Sequence, residues 1–330
     1  MLCAWLYGIV THCDGERLAV LLFTVGTKMI DAFSDVFEGQ LQKEHRLDLA
    51  GISMSTRMLI STVVCLAVLI ITKKLIVACM CMFLGAALCM LLFSAMPAVC
   101  VHHQHNIQNQ QKVSFRRSMT IFSPAIPLFL SSFGLMMISG MPKYIIDFLM
   151  TESDQAIYGI LYLPAQVISL LSSFIFKPLI GEMAYDWKHK QNRNFILRVN
   201  KLLWFIATGD AVVLLGAWLL GIPILSLLSG LKLDSYLVNL LILVVGGAFT
   251  AIAALLFQAI TIMHYQTVAF GIYLIVIVIS IVLDLILIRT IGLLGASIGY
   301  MVQMMLLAIC LYGVYCIGRS GKLKRYRAYP

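Results

Sequence analysis

The sequence predicts an all-α protein that crosses a membrane many times, with about nine full transmembrane helices and a partial one at the N-terminus. Hydrophobic residues make up 61% of the 330 residues, charged residues only 12%, and the mean hydropathy is +0.95. Soluble domains are typically about 45–50% apolar and about 25% charged. Apolar runs of about 20 residues, the length of a membrane-spanning helix, recur along the whole chain.

The predicted spans follow one another with short connections. Nine segments are long and apolar enough to cross a bilayer: 18–40, 54–72, 75–96, 120–141, 157–180, 202–228, 236–260, 268–288 and 293–317. Residues 2–10 have the composition expected of the end of a further span. The polar stretch 97–119 is predicted to be a cytoplasmic linker between an incomplete N-terminal bundle, 1–96, and a C-terminal six-helix bundle, 120–318. Residues 319–330 are predicted to form a basic cytoplasmic tail.

Basic residues indicate which way the spans run, because Lys and Arg in short loops mark the cytoplasmic side. With a cytoplasmic C-terminus and alternating spans, most of the 24 Lys and Arg residues fall on that side, Arg57 among them. Lys73 and Lys74 fall on the opposite side. The net charge of +9 therefore reflects topology, and no nucleic-acid partner is expected.

One predicted span carries four ionisable residues on a single helical face. Lys28, Asp31, Asp35 and Glu38 are spaced three, four and three residues apart, which aligns them along a helix. Lys28 and Asp31 can pair locally. Ionisable side chains inside spans are costly and are functional candidates. Two interpretations stay open: a polar stripe lining a water-filled cavity, or a structural ion-pair face that fixes helix packing.

Three other ionisable residues lie within or near spans. Lys177 can extend to the interface or contact a substrate, and Asp210 can lie at a cavity or at the interface. Asp284 precedes Arg289 by five residues near the outer interface, so a local ion pair is expected there. Pro164 and Gln166 mark a point where a span can kink beside a polar side chain.

No metal site, cofactor or enzymatic active site is expected. The stretch from His102 to His105 lies in a polar loop with no carboxylate nearby, and none of the nine cysteines forms a C-x-x-C pair. The sequence has no nucleotide-binding loop, no G-x-S-x-G and no H-E-x-x-H motif. Its polar stretches are too short to hold a nucleotide-binding domain, so this chain alone is not expected to hydrolyse ATP.

Three stretches, in this order, resemble the polysaccharide flippase family, the O-antigen type exporters of lipid-linked repeat units. That family belongs to the multidrug/oligosaccharidyl-lipid/polysaccharide exporter superfamily. The first stretch has the pattern Asp35…Gly39-x-Leu41-Gln42-x3-Arg46-x-Asp48…Ser53…Arg57. The second joins Met141-Pro142-Lys143-Tyr144 to Tyr158-Gly159-Ile160-Leu161-Tyr162-Leu163-Pro164. The third is Gly292-Leu293-Leu294-Gly295-Ala296-Ser297-Ile298-Gly299-Tyr300.

The resemblance implies two six-helix bundles in a V-shape, with a cavity that opens alternately to each side of the bacterial inner membrane. The substrate would be an undecaprenyl-pyrophosphate-linked oligosaccharide for O-antigen or capsule synthesis, and its anionic groups need cationic partners away from water. Substrate contacts are then expected at Lys28, Lys177, Gln166 and Tyr144. Ion coupling is expected at Asp31, Asp35 and Asp210.

The resemblance also implies partners and a longer first bundle. The family has about twelve spans, so the chain is expected to be truncated at its N-terminus or to have a start assigned too far downstream. Expected partners are the lipid-linked oligosaccharide, membrane lipids, a polysaccharide polymerase and a chain-length regulator. Two alternatives remain: a small-molecule antiporter of the same superfamily, and a membrane enzyme such as a repeat-unit polymerase.

Overall fold

The protein is all-α over the residues that the computed structural model describes, which are 15–43, 47–97, 115–176, 179–231 and 233–319. No strand occurs within these ranges. The helices are α1 (Gly15–Lys43), α2 (Leu47–Thr72), α3 (Leu75–Cys89), α4 (Phe115–Leu149), α5 (Glu152–Phe176), α6 (Ile180–Lys188), α7 (Asn192–Gly216), α8 (Ile222–Ser229), α9 (Leu237–Ile262), α10 (Gln266–Ile291) and α11 (Leu293–Arg319). Short π-helical segments, Met90–Ala95 and Ala217–Gly221, extend α3 and join α7 to α8.

Eight helical segments in the described ranges are long and apolar enough to cross a membrane. The predicted class, an all-α polytopic membrane protein, is therefore confirmed. The sequence predicts nine full spans, and the difference arises at α1. This helix has 29 residues, enough to cross, but Lys28, Asp31, Asp35 and Glu38 make it too rich in charge to count among the eight.

The chain divides into two compact units, Met1–Val113 and Ser114–Pro330. The described part of unit 1 comprises α1, α2, α3 and the π-helical segment that continues α3. The connection between α2 and α3 is only Lys73 and Lys74, and Lys73 adopts a left-handed backbone with φ 53°. Small residues on α3, Ala78 and Ala86, are fully buried, which allows the three helices to approach closely.

Unit 2 contains six of the eight candidate spans, and α9 is its central helix. This helix packs against α5, α7 and α11, and it is the most buried of the eight spans. Gly247 lets α9 approach α5 closely, because a Cβ at this position would lie 2.9 Å from the Ala165 backbone of α5. Helix α10 packs against α4 and α11.

A single residue, Gly292, connects α10 to α11. Its φ of +64° and ψ of −135° define a conformation that residues with a side chain rarely adopt. The Cα of Gly295 also lies so close to the α10 backbone that a Cβ there would overlap the Leu287 carbonyl. The two long helices therefore form a tight hairpin.

Two connections between the predicted spans of unit 2 are largely helical. The spans were expected to stop at residue 141 and resume at 157, but α4 continues through Met141 and Pro142 to Leu149, and α5 begins at Glu152. The polar stretch 181–201 contains α6 and the first turns of α7. Proline did not break the helices: α5 also continues through Pro164, because a helix can bend around the missing hydrogen bond.

Several predicted features lie outside the described residues. These are the partial span at 2–10, most of the predicted linker at 97–119, including His102 to His105, Lys177 with Pro178, and the basic tail after Arg319.

Candidate functional site

The ionisable face of α1 packs against a buried arginine of α2. Asp31 Oδ1 lies 2.6 Å from Arg57 Nη1, and Glu38 Oε1 lies 3.2 Å from Arg57 Nη2. Asp35 Oδ1 is 3.8 Å from Nη2. The three carboxylates are one helical turn apart, so they follow one another along the guanidinium. The predicted alignment of these residues on one face of α1 therefore agrees with the geometry.

Hydroxyl groups and a lysine extend this ion cluster in two directions. Ser53 Oγ donates a hydrogen bond to Glu38 Oε1 at 3.2 Å, and Ser94 Oγ lies 2.6 Å from Ser53 Oγ. Because Ser53 donates to Glu38, Ser94 is the donor of the second bond. At the opposite end, Lys28 Nζ lies 3.2 Å from Asp31 Oδ2. The local pairing of Lys28 with Asp31 is thus confirmed.

Burial divides the cluster into a closed interior and an open edge. The side chains of Arg57 and Glu38 are only 2% and 5% exposed, whereas those of Lys28 and Asp35 are 77% and 70% exposed. Charges removed from water need partners, and the interior supplies them. The interior has the form of a structural ion pair, and the accessible edge has the form of a polar stripe. The ion-paired interior agrees with the structural interpretation, and the interpretation as a cavity lining stays a prediction.

Arg57 is the residue of this cluster that sequence reasoning missed. Its charge was counted among the cytoplasmic residues that set the topology, but it lies within the candidate span Gly51–Thr72. Removing it from that count leaves the basic excess on the same side. A signal was present in the sequence: Ser53 and Arg57 are four residues apart, on one face of α2.

A cavity of about 800 Å³ opens at the end of unit 1 that lies away from Glu38. It is bounded by the first turns of α1 and by the α2–α3 connection, where Lys73 and Lys74 line it with Glu16 and Thr24. The remaining lining is apolar: Val20, Leu21, Val25, Leu75, Ile76 and Val77. The cavity thus combines two lysines with an aliphatic wall.

Unit 2 has a separate buried cluster of tyrosines. Tyr162 of α5 lies edge-on to Tyr300 of α11, with ring centroids 5.1 Å apart. The Tyr300 hydroxyl is 2.7 Å from Thr250 Oγ1 of α9. On the other side of Tyr162, the Lys143 ammonium lies 4.2 Å from the ring centroid, a cation–π geometry. Tyr158 stacks on Tyr162 with centroids 6.1 Å apart.

The other predicted site residues lie apart from these clusters. Tyr144 is exposed on α4, with its ring over Gly140, and Gln166 is exposed on α5. Asp210 is half-buried on α7, and its Oδ1 has no hydrogen-bond partner. These residues belong to unit 2, whereas Lys28, Asp31 and Asp35 belong to unit 1. Lys177 lies outside the described residues.

The expected ion pair between Asp284 and Arg289 is not formed. Asp284 is fully buried, and neither of its carboxyl oxygens has a hydrogen-bond partner in the part of the chain that the structure describes, whereas Arg289 is exposed. The reason is helical geometry: positions five residues apart point in different directions around the helix axis. Asp284 faces α11, because a Cβ on Gly299 would overlap its Oδ1.

No protein-family model, curated protein or solved structure matches this chain.

Proposed function

We propose that this protein moves an anionic, lipid-linked oligosaccharide across the bacterial inner membrane. Its substrate would be an undecaprenyl-pyrophosphate-linked repeat unit for O-antigen or capsule synthesis. The observation that carries the proposal is the ion cluster around Arg57, whose buried interior lies between α1 and α2. Charges held within membrane-spanning helices are rare, face the protein interior and mark transport pathways.

The cavity of unit 1 supports a substrate with a charged head and an apolar tail. Lys73 and Lys74 supply two positive charges at its rim, and aliphatic side chains form most of its wall. Lysine binds phosphate groups as a point charge, and an aliphatic wall is compatible with a polyprenyl chain. The exposed ammonium of Lys28 lies one helical turn beyond the cavity-lining residue Val25.

The remaining predicted residues take roles within the same proposal. Lys28 and Lys177 would contact the pyrophosphate or sugar acids, and Gln166 and Tyr144 would contact sugar groups. Coupling to an ion gradient would involve Asp31, Asp35 and Asp210. The protein would act as a transporter with a cytoplasmic C-terminus, supplying a polymerase and a chain-length regulator, and it would catalyse no covalent step.

The test is complementation of a bacterial strain that lacks its own repeat-unit flippase. The wild-type chain is expected to restore surface polysaccharide and to clear lipid-linked units from the cytoplasmic face. Lys73→Ala together with Lys74→Ala is expected to lower export about tenfold or more, because each hydrogen bond to a charged group contributes about 1.5–3 kcal/mol. Lys190→Ala, which removes an exposed lysine of the α6–α7 turn, is the matched control and should export normally.

Two results would contradict the proposal. In the first, the wild-type chain is present in the membrane but lipid-linked units still accumulate inside. In the second, lipid-linked units are already freely labelled from outside in the strain that lacks its flippase and has not received this chain.

A small-molecule cation antiporter is the second candidate, and the charge balance of the cluster favours it. Arg57 and Lys28 are matched by three carboxylates, Asp31, Asp35 and Glu38, so the cluster carries a net negative charge. Overexpression would then lower sensitivity to cationic drugs, and Asp35→Asn would abolish that protection. Unchanged drug sensitivity alongside restored polysaccharide would decide in favour of the flippase.

A further inference from the structure

The buried face of α10 carries a row of polar side chains that have no hydrogen-bond partner among the described residues. Tyr273, Ser280 and Asp284 are spaced seven and four residues apart, which places them on one side of the helix. All three are 0% exposed. The Tyr273 hydroxyl, Ser280 Oγ and both Asp284 oxygens have no hydrogen-bond partner in the described structure. Buried polar groups are almost always hydrogen-bonded, so such a row calls for a functional explanation.

Asp284 is the most costly member of this row, because it can carry a full charge. On the α11 side it lies against Gly299, where a Cβ would overlap Oδ1. On α5, the Tyr158 hydroxyl is fully buried, has no hydrogen-bond partner among the described residues and is within electrostatic range of Asp284. Both carboxyl oxygens are therefore enclosed by helices without receiving a hydrogen bond.

No cation neutralises Asp284 in the described structure. Arg289 on the same helix is exposed. Helix α9 has no ionisable side chain, and the half-buried Lys143 of α4 lies over the Tyr162 ring. Among the described residues, the remaining titratable side chains on the helices that pack against α10 are, on α4, Tyr144 and Asp147 and, on α11, Tyr300, Cys310, Tyr312, Tyr315, Cys316 and Arg319. The side chains of Arg116 and Arg117, in the first turn of α4, lie outside the described residues. None of them hydrogen-bonds to the Asp284 carboxyl.

An ionised carboxylate cannot persist in these surroundings. Burying an unpaired charge costs far more than burying a neutral polar group. A hard metal cation would need several oxygen ligands around it, and the carboxyl is instead packed against the Gly299 backbone. A proton needs no further room or ligand, so it is the counter-ion that this geometry accommodates.

We propose that Asp284 is a reversible proton-binding site of unit 2, neutral in the packed arrangement of α5, α10 and α11 and ionised when that packing opens to water. On opening, the O–H bond breaks and the proton passes to a water molecule, which leaves the carboxylate hydrated. On closing, the carboxylate recovers a proton before it is buried. The inference does not depend on the identity of the transported substrate, since it concerns only this carboxyl and its surroundings.

The test is infrared spectroscopy of the purified full chain in lipid at neutral pH. A protonated carboxylic acid without hydrogen bonds gives a carbonyl stretch that is separate from those of carboxylates and amides. We expect wild-type protein to show this band, Asp284→Asn to lose it and Asp284→Glu to move it. Asp147→Asn removes an exposed carboxyl of α4 and is the matched control, which should leave the band unchanged.

Two outcomes would overturn the proposal. The first is an identical spectrum for wild-type protein and folded Asp284→Asn. The second is a band that appears only when sodium is removed, which would make Asp284 a metal-cation ligand. The infrared readout requires no transport assay, so failure of the oligosaccharide proposal leaves this result interpretable.

Discussion

At the scale of single residues, Arg57 and Glu38 form the closed interior of unit 1. The Arg57 guanidinium, on α2, contacts Asp31 and Glu38, which lie about two turns apart on α1. The Arg57 side chain is almost inaccessible to solvent. Removing one partner of a buried pair leaves the other without compensation. This pair should therefore affect stability more strongly than the exposed Lys28 does.

Arg57→Ala is expected to lower the free energy of unfolding by about 3–5 kcal/mol, the usual cost of breaking a buried pair. Lys28→Ala should cost at most about 1 kcal/mol, because its ion pair with Asp31 is exposed. Unfolding by SDS in mixed micelles measures both changes. A double variant, Arg57→Ala with Glu38→Ala, should be less destabilised than the two single changes added together. Strict additivity would show that the pair does not act as a unit.

Gly299 and Asp284 give a second test at this scale. Gly299→Ala is expected to lower thermal stability, because the new methyl group would overlap the Asp284 carboxyl. The same substitution in an Asp284→Ala background should cost little, since the overlapping atoms are gone. Gly313→Ala is the control, as its Cβ would meet nothing within 4 Å. Equal losses in both backgrounds would contradict the packing described for α10 and α11.

Some of this residue-level detail could be read from the sequence and some could not. The spacing of Lys28, Asp31, Asp35 and Glu38 predicted one face, because neighbours on a helix depend only on its period. The partner of that face could not be predicted, because Arg57 approaches from another helix. Asp284 was misjudged because its expected partner, Arg289, points in another direction around α10. That Asp284 lies against Gly299 could not be predicted, because Gly299 belongs to α11.

At the scale of elements, the packing of unit 2 depends on close approach between helices. In membranes, helices associate through small residues that let backbones come together. Gly246 of α9 lies under the ring of Tyr300, and Gly247 lies against the Ala165 backbone. Helix α9 therefore contacts α11 and α5 through adjacent glycines.

Gly247→Ala is expected to destabilise unit 2 by about 1–3 kcal/mol, the usual cost of overpacking, because the Ala165 backbone cannot move aside as a side chain can. Gly271→Ala on α10 is the matched control, with nothing within 4 Å of its Cβ, and its stability should be unchanged or slightly raised. Thermal unfolding in detergent compares them. Equal stability of the two variants would exclude the close contact between α5 and α9.

Helix existence was easier to predict than helix ends. Every predicted full span corresponds to helix in the structure, because apolar length alone requires it. The helices continue past the predicted span end at residue 141 and begin before the predicted span start at residue 202, because a helix can extend beyond its apolar stretch. Within a long helix a proline removes one hydrogen bond and the helix continues around it.

At the scale of the whole molecule, eight apolar spans and the charged helix α1 make the chain a polytopic membrane protein. Between the Lys73–Lys74 turn and the α6–α7 turn lie three candidate spans, Leu75–Ala95, Ile126–Leu149 and Glu152–Ser172. Because this number is odd, we predict that the two turns lie on opposite sides of the membrane. The distribution of basic residues predicts that the α6–α7 turn is the cytoplasmic one.

Cysteine labelling tests this topology. In a background without native cysteines, Lys73→Cys should react with a membrane-impermeant maleimide in intact cells. Lys190→Cys should react only after the membrane is permeabilised. Both positions are exposed in the structure, so neither result should be limited by burial. Labelling of both sites in intact cells would contradict the odd number of crossings.

The one-residue turn at Gly292 has a consequence for how the chain is synthesised. Helices α10 and α11 follow each other with only Gly292 between them, so the first exposes no polar connection before the second begins. We therefore expect the two helices to enter the membrane together as one hairpin, with their close backbone contact already made. We expect an epitope inserted at Gly292 to disturb biogenesis more than the same epitope inserted at Lys190, because only the hairpin must be assembled before it meets lipid.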